Sequence, residues 1–206
     1  MHTSSRAAVA ITGLGAVTPA GCTPGDLWNA LRAGWSVASL LTGPDFPGTH
    51  LGCRVRGLDT GNTVSAKDAR RMDPFVLYGI TAALAAHRDA GAPGTDPGRN
   101  AIVMGNAVGG RHVSDRESVH FAESGPQRVN PLMPLMTMPN AAAAQTAMRL
   151  GWKGPAHTVA TTCASGADAV GHGVELLRSH RADVVIAGGC EATLTPVTLA
   201  GFGNLN

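Results

Sequence analysis

The stretch that most restricts the fold runs from Ala164 to Gly173, ASGADAVGHG, where the residues are small or apolar on almost every side of a helix. A helix of that kind is normally buried all round. Glu175 and Arg178 mark its more polar second half, so its first turns, with Cys163 just ahead of them, are expected deep inside the protein. One layer built from 206 residues can hardly enclose such a helix, and covering layers are expected on both sides of it.

The rest of the chain supplies the material for those layers. Short Val-, Ile- and Ala-rich runs bounded by glycine read as buried strands from Ala7 to Gly13, Asn100 to Gly105, His157 to Thr162 and Asp183 to Gly188. Helical patterns alternate with them. The clearest spans about Ala66 to Ala90, where Met72, Phe75, Val76, Gly79 and Ala83 recur at spacings of three and four, with Gly91 as its stop. Thr23 is placed to cap a shorter helix with Pro24 at its first position, Leu27, Trp28 and Leu31 on one face and Gly34 at its end. Asn140 is the expected cap of an alanine-rich helix reaching Leu150, and another helix starts beside Cys163 and runs to about Ser179. Strands alternating with helices give an α/β layered fold with a parallel or mixed sheet.

Charge and cysteine usage exclude several functions. The formal charge of +2 comes from basic residues scattered along the chain, with no run that would mark a nucleic-acid or membrane surface. The four cysteines, Cys22, Cys53, Cys163 and Cys190, form no CxxC or CxxH pair, so neither a zinc site nor a dense disulfide framework is expected, and reduced thiols fit a cytoplasmic location. No secretory leader is recognisable at the start, and no apolar run is long enough to span a bilayer. The Gly13-x-Gly15 pair lacks the third glycine of a dinucleotide fold, and no GK[ST] follows a glycine-rich turn, so neither NAD nor ATP is expected.

Cys163 is the candidate nucleophile. A thiolate rather than a thiol attacks a thioester, and an ordinary cysteine, with a pKa of about 8.5, needs help to ionise at neutral pH. The unpaired N–H groups and dipole at a helix N-terminus favour S⁻ and can also stabilise a tetrahedral oxyanion. Small neighbours at Ala164, Ser165 and Gly166 would let an acyl chain approach. On composition alone a lone cysteine at a strand end is usually a packing residue, the reading kept for Cys22, Cys53 and Cys190.

What separates Cys163 from the others is its context. The segment HTVATTCASGADAVGHG resembles the active-site segment of the β-ketoacyl-[acyl carrier protein] synthases, in which the nucleophile stands as Thr-x-Cys-x-Ser-Gly. The resemblance continues through VAITGLGAVTPAG, ARRMDPF, MGNAVGG, PNAAAAQTAMRLGWKGPAHTV, DVVIAGGCEA and GFGNLN, in family order. It implies a thiolase-like α/β/α/β/α arrangement, of which residues 1–206 would supply the first of two similar halves, with a mixed five-stranded sheet. It also implies a decarboxylative Claisen condensation in fatty-acid or type II polyketide assembly, in which the acyl group moves to the cysteine and a malonyl-derived carbanion then attacks it.

The same resemblance implies the remaining roles. Val108 and Met133 fall where family members line the acyl pocket, and the Met133 segment lies near the two-fold dimer contact. Lys67, Arg70 and Arg71 fall on the face that receives an acidic acyl carrier protein, whose phosphopantetheine arm carries the substrate, with no other cofactor and no metal. Homodimers or ketosynthase-like heterodimers are the implied assemblies. Family members are about twice as long, and their second half carries two histidines that promote decarboxylation and a further oxyanion-hole N–H. None of the eight histidines here stands in either motif, so this chain is expected to be one half of a larger enzyme. The competing reading is a non-catalytic partner subunit or scaffold, a type that typically lacks the nucleophile.

Overall fold

A computed structural model describes residues 8–43, 46, 50–60, 63–94 and 96–205. In chain order the helices are α1 (Pro24–Ala33), α2 (Ala66–Ala69), α3 (Pro74–Asp89), α4 (Arg111–Ser124), α5 (Met133–Thr137), α6 (Ala141–Leu150), α7 (Ser165–Arg178) and α8 (Pro196–Gly203). The strands are β1 (Ser39–Leu41), β2 (His50–Gly52), β3 (Asn100–Gly105), β4 (Ala156–Val159) and β5 (Val184–Gly189). The expected five-stranded mixed sheet is corrected on this point: β4-β3-β5 form a three-stranded parallel sheet, and β1 and β2 pair separately as an antiparallel ribbon.

β3 lies at the centre of the parallel sheet, with Ile102 opposite Ala156 on one side and Ile186 on the other. All six of its residues are buried, as its unbroken NAIVMG run requires of a strand covered on both faces. From β3 the chain passes through α4, α5 and α6 to β4, then through α7 back across β3 to β5. Right-handed crossovers running in opposite directions along a sheet place their helices on opposite faces. Accordingly Ile102 and Met104 pack with Phe75 and Ile80 of α3 and Ala142 of α6, while Ala101 and Val103 pack with Ala169 and Leu176 of α7.

Local signals explain most of the helices. Thr23 caps α1 in a reciprocal capping box with Asp26, Pro24 occupies the first turn, and Gly34 closes it in the left-handed conformation. The apolar stripe read on α1 nevertheless points outward, Trp28 being 60% and Leu31 66% exposed. Asn140 does precede α6, but its side chain makes no cap hydrogen bond.

The long helix expected from Ala66 to Ala90 is broken in two. Pro74 has no N–H to donate and its ring would collide with the Arg70 carbonyl in a continuous helix. The chain therefore restarts at Asp73, whose buried carboxylate accepts the N–H groups of Phe75 at 3.3 Å and Val113 at 2.8 Å, tying the starts of α3 and α4 together. Burial raises the Asp73 pKa above its ordinary value, against the lowering effect of those two N–H groups.

The expected strand from Ala7 to Gly13 is also corrected, as far as it lies within the described residues. Residues 8–13 join no sheet, and Ile11 is 78% exposed. The segment crosses α3 instead, where the Leu14 N–H donates to Asp89 at 2.9 Å. A β-prone sequence becomes a strand only where a partner edge takes up its backbone groups. The expected strand from His157 to Thr162 likewise ends at Val159, because Thr162 opens a 3-10 turn. Among the described residues no helix is long and apolar enough to cross a membrane.

Candidate functional site

The loops leaving β3 and β4 run to opposite faces of the sheet, which opens a crevice at the carboxyl ends of the strands, the usual ligand position in open α/β sheets. Cys163 lies there. It is exposed, in the 3-10 turn Thr162–Ala164 immediately before α7. Thr162 ahead of it has φ of 53°, a left-handed conformation that costs a β-branched residue about 1–3 kcal/mol. Ser165, which is buried, holds the turn: its hydroxyl accepts the Thr161 N–H at 2.9 Å and donates to the Thr162 carbonyl at 2.6 Å.

Two strand-end glycines let α7 approach this closely. A Cβ on Gly105 would sit 2.2 Å from the Ser165 carbonyl oxygen, and one on Gly189 would sit 2.9 Å from the Gly166 Cα. The first turn of α7 therefore rests directly on the backbone of β3 and β5. Within the described residues only the sheet-facing side of this helix is covered, in keeping with the expectation that one layer of 206 residues can hardly enclose it. Ala164, Ala167, Val170 and Gly171 are exposed on the other side.

Cys163 borders a cavity of about 820 Å³, within the range of about 300–1,000 Å³ of small-molecule sites. Val108, Arg111, Glu191 and Phe202 share its wall. The structure thus brings Val108, 52% exposed, to the same cavity as Cys163. Met133 lies half-buried at the start of α5 and is not among the residues of that wall. Lys67, Arg70 and Arg71 are exposed on and just beyond α2, away from this cavity. Arg70 borders a broader groove together with Arg54, Arg116 and Arg128, which adjoins the Cys163 cavity at Cys190, Glu191 and Val197.

Several contributors were not singled out from sequence. Glu191, two positions beyond β5, accepts the N–H groups of Ala107 at 2.9 Å and Val108 at 3.2 Å, so one carboxylate holds the wall loop in place. Buried Asn106 adds to this latch, donating to the Cys190 carbonyl at 2.6 Å and accepting the Gly109 N–H at 2.5 Å. The blocks MGNAVGG and GGCEA contained the signal, an Asn directly after one strand and a Glu two positions after another. Cys190 also reaches the wall, but burial, and then the neighbouring Glu191, push its thiol up to about 12, which suits a packing residue.

Fold and site together define a layered α/β protein with an exposed thiol at a helix N-terminus beside a ligand-sized cavity. The family model for the N-terminal domain of β-ketoacyl synthases matches residues 6–206. The chain therefore belongs to the β-ketoacyl synthase family. It is 33% identical over 205 residues to 3-oxoacyl-[acyl-carrier-protein] synthase 2 of Vibrio cholerae, covering 97% of this chain and 49% of that relative. The synthase of the same description from Synechocystis sp. is 34% identical over 202 residues, covering 95% and 48%. Among solved structures, the ishigamide ketosynthase/chain length factor superposes with a TM-score of 0.84 at 26% identity, covering 95% of this chain and 51% of that one. The chain spans about half the length of the curated relatives it matches.

Proposed function

We propose that this chain carries the nucleophile of a ketosynthase that joins an acyl group to a malonyl unit on acyl carrier protein. The single observation behind this reading is the placing of Cys163: exposed, on a strained turn, at the N-terminus of α7 and on the wall of a ligand-sized cavity. Its thiolate attacks the carbonyl carbon of a carrier-bound acyl thioester. The tetrahedral oxyanion collapses, the C–S bond to the phosphopantetheine arm breaks, and that sulfur leaves as a thiolate, which takes up the proton that Cys163 lost on ionising. Malonyl-carrier then loses CO₂, and the resulting carbanion attacks the Cys163 thioester, forming the new C–C bond and releasing the cysteine sulfur.

Within this reading the N–H groups at the start of α7 face the developing negative charge. Val108 and Met133 line the space for the acyl chain, and the Met133 segment lies near the two-fold contact of a homodimer or heterodimer. Lys67, Arg70 and Arg71 steer the acidic carrier, which raises encounter rate more than affinity. Decarboxylation draws on the two histidines of the family's second half. The pathway is fatty-acid or type II polyketide assembly in the cytoplasm, with the phosphopantetheine arm as carrier.

The test is intact-mass analysis of the full-length gene product after incubation with an acyl-carrier thioester. An adduct of the acyl mass that Cys163→Ala abolishes is the expected result. Absence of any adduct in the assembled complex overturns the reading in favour of a non-catalytic partner subunit.

A further inference from the structure

Arg111 is the one cation among the described residues that wall the Cys163 cavity. It opens α4, three positions after Val108, and borders the same space as Val197, Phe202 and Leu205. Its Nε donates to Asp115 at 3.1 Å. Asp115 is shared: it also accepts the hydroxyl of buried Thr195, the cap of α8, at 2.6 Å. The carboxylate therefore fixes the guanidinium between α4 and α8 and balances its charge, while the Nη groups have no partner among the described residues. The other charged group on the wall, Glu191, is already occupied by the N–H groups of Ala107 and Val108 and by Asn106. Glu191 is thus not free to pair with Arg111.

A guanidinium carries five N–H donors in a rigid fork. An alkyl chain filling the cavity would strip water from the Nη donors of this partly exposed side chain and give no hydrogen bond back. A chain with a carbonyl oxygen at that depth would satisfy them. Because Asp115 already neutralises the charge, a neutral acceptor such as a ketone suits the site better than a second carboxylate.

We propose that Arg111 is a specificity-determining residue of this cavity, selecting acyl chains that bear a carbonyl oxygen over fully saturated ones. The inference rests on the acyl-transfer reading of Cys163 and names its substrate class. The step it biases is the thioester exchange onto Cys163, with no change in bonds made or broken.

The experiment is a competition. Full-length protein is given equal amounts of carrier-bound octanoyl and mono-oxo-octanoyl thioesters, the ketone being stepped along the chain in separate runs, and the two Cys163 adducts are compared by intact mass. The wild type is expected to favour at least one oxo chain by about tenfold or more. Arg111→Leu should remove that preference, and Arg111→Gln, which keeps N–H donors, should retain part of it. The ratio is internal to each sample, so partial misfolding of a variant lowers both adducts alike. Equal loading of oxo and saturated chains by the wild type, or an unchanged ratio in Arg111→Leu, overturns the inference while Cys163 acylation stands. No adduct from any thioester sinks the acyl-transfer reading itself.

Discussion

The two faces of the central sheet are built on opposite terms. Toward α3 and α6, β3 presents Ile102 and Met104 to Phe75, Val76, Ile80 and Trp152, large side chains that fill a wide gap. Toward α7 it presents Ala101 and Val103 to Ala169, Leu176 and Ala182, and α7 itself turns Gly173 against Val185 and Ala187. Large side chains bury much apolar area and hold the layer firmly, at about 25 cal/mol per Å² removed from water. Small ones let a helix sink onto the strands. The first face supplies stability, and the second brings the N-terminus of α7, with Cys163, to the strand ends where the cavity opens.

The two cysteines on the cavity wall put the difference between the faces to its most direct test. Cys190 packs into the α3 face beside Gly79 with its pKa raised to about 12, whereas Cys163 is exposed at the end of the α7 face. At pH 8 only about one Cys190 in ten thousand is thiolate, so its alkylation should be slower than that of Cys163 by about a hundredfold or more. Its rate should also rise about tenfold per pH unit toward that pKa, the thiolate fraction growing as pH climbs. Peptide-resolved alkylation kinetics measure both, and comparable rates for the two thiols at pH 8 would mean that the faces do not differ as described.

Next in size is a cavity cut into the firm face. Phe75, wholly buried between α3 and the sheet, should cost about 3–5 kcal/mol on replacement by alanine. Denaturant unfolding of Phe75→Ala gives the value, and a loss under about 1 kcal/mol would remove this layer from its role in stability.

The smallest expected loss of stability, with a larger effect on activity, comes from adding a methyl group on the other face. Gly105→Ala puts a carbon 2.2 Å from the Ser165 oxygen and must push α7 off the strand ends. A cost of about 1–3 kcal/mol is expected, as for other overpacked positions. Acylation of Cys163 should slow by more than the loss of folded protein accounts for, because the Thr162 turn shifts with the helix. Acylation falling only in proportion to the folded fraction would show that close approach at Gly105 does not position the thiol.

Much of this architecture was legible in the residues. β3 and β5 follow from short glycine-bounded apolar runs, α1 from Thr23, Pro24 and Gly34, and the start of α7 from its place beside Cys163. The apolar spacing read across 66–90 was real on the α3 side, but Pro74 and Asp73 cut it, and a stripe of that period is blind to a missing N–H. The separate β1–β2 ribbon was not foreseen, because a three-residue strand carries too little alternation to be seen. Of the residues that share the cavity wall, Cys163 and Val108 were singled out through their motifs. Arg111, Glu191 and Asn106 were not, since their roles depend on which loops meet.

By itself, the sequence determined the local choices: where helices begin and stop, which short runs are buried, and which sulfur sits at a helix N-terminus. Those depend on caps, prolines, glycines and periodicity, which act over a few neighbouring residues. The way the layers meet settled that residues 8–13 join no sheet and that Arg111, Glu191 and Cys163 share one cavity. Those outcomes turn on contacts between distant residues, as when Glu191 bonds the N–H groups of Ala107 and Val108 from more than eighty positions away. No local pattern encodes a partner at such a distance, and crossover handedness and close packing of layers settle it instead.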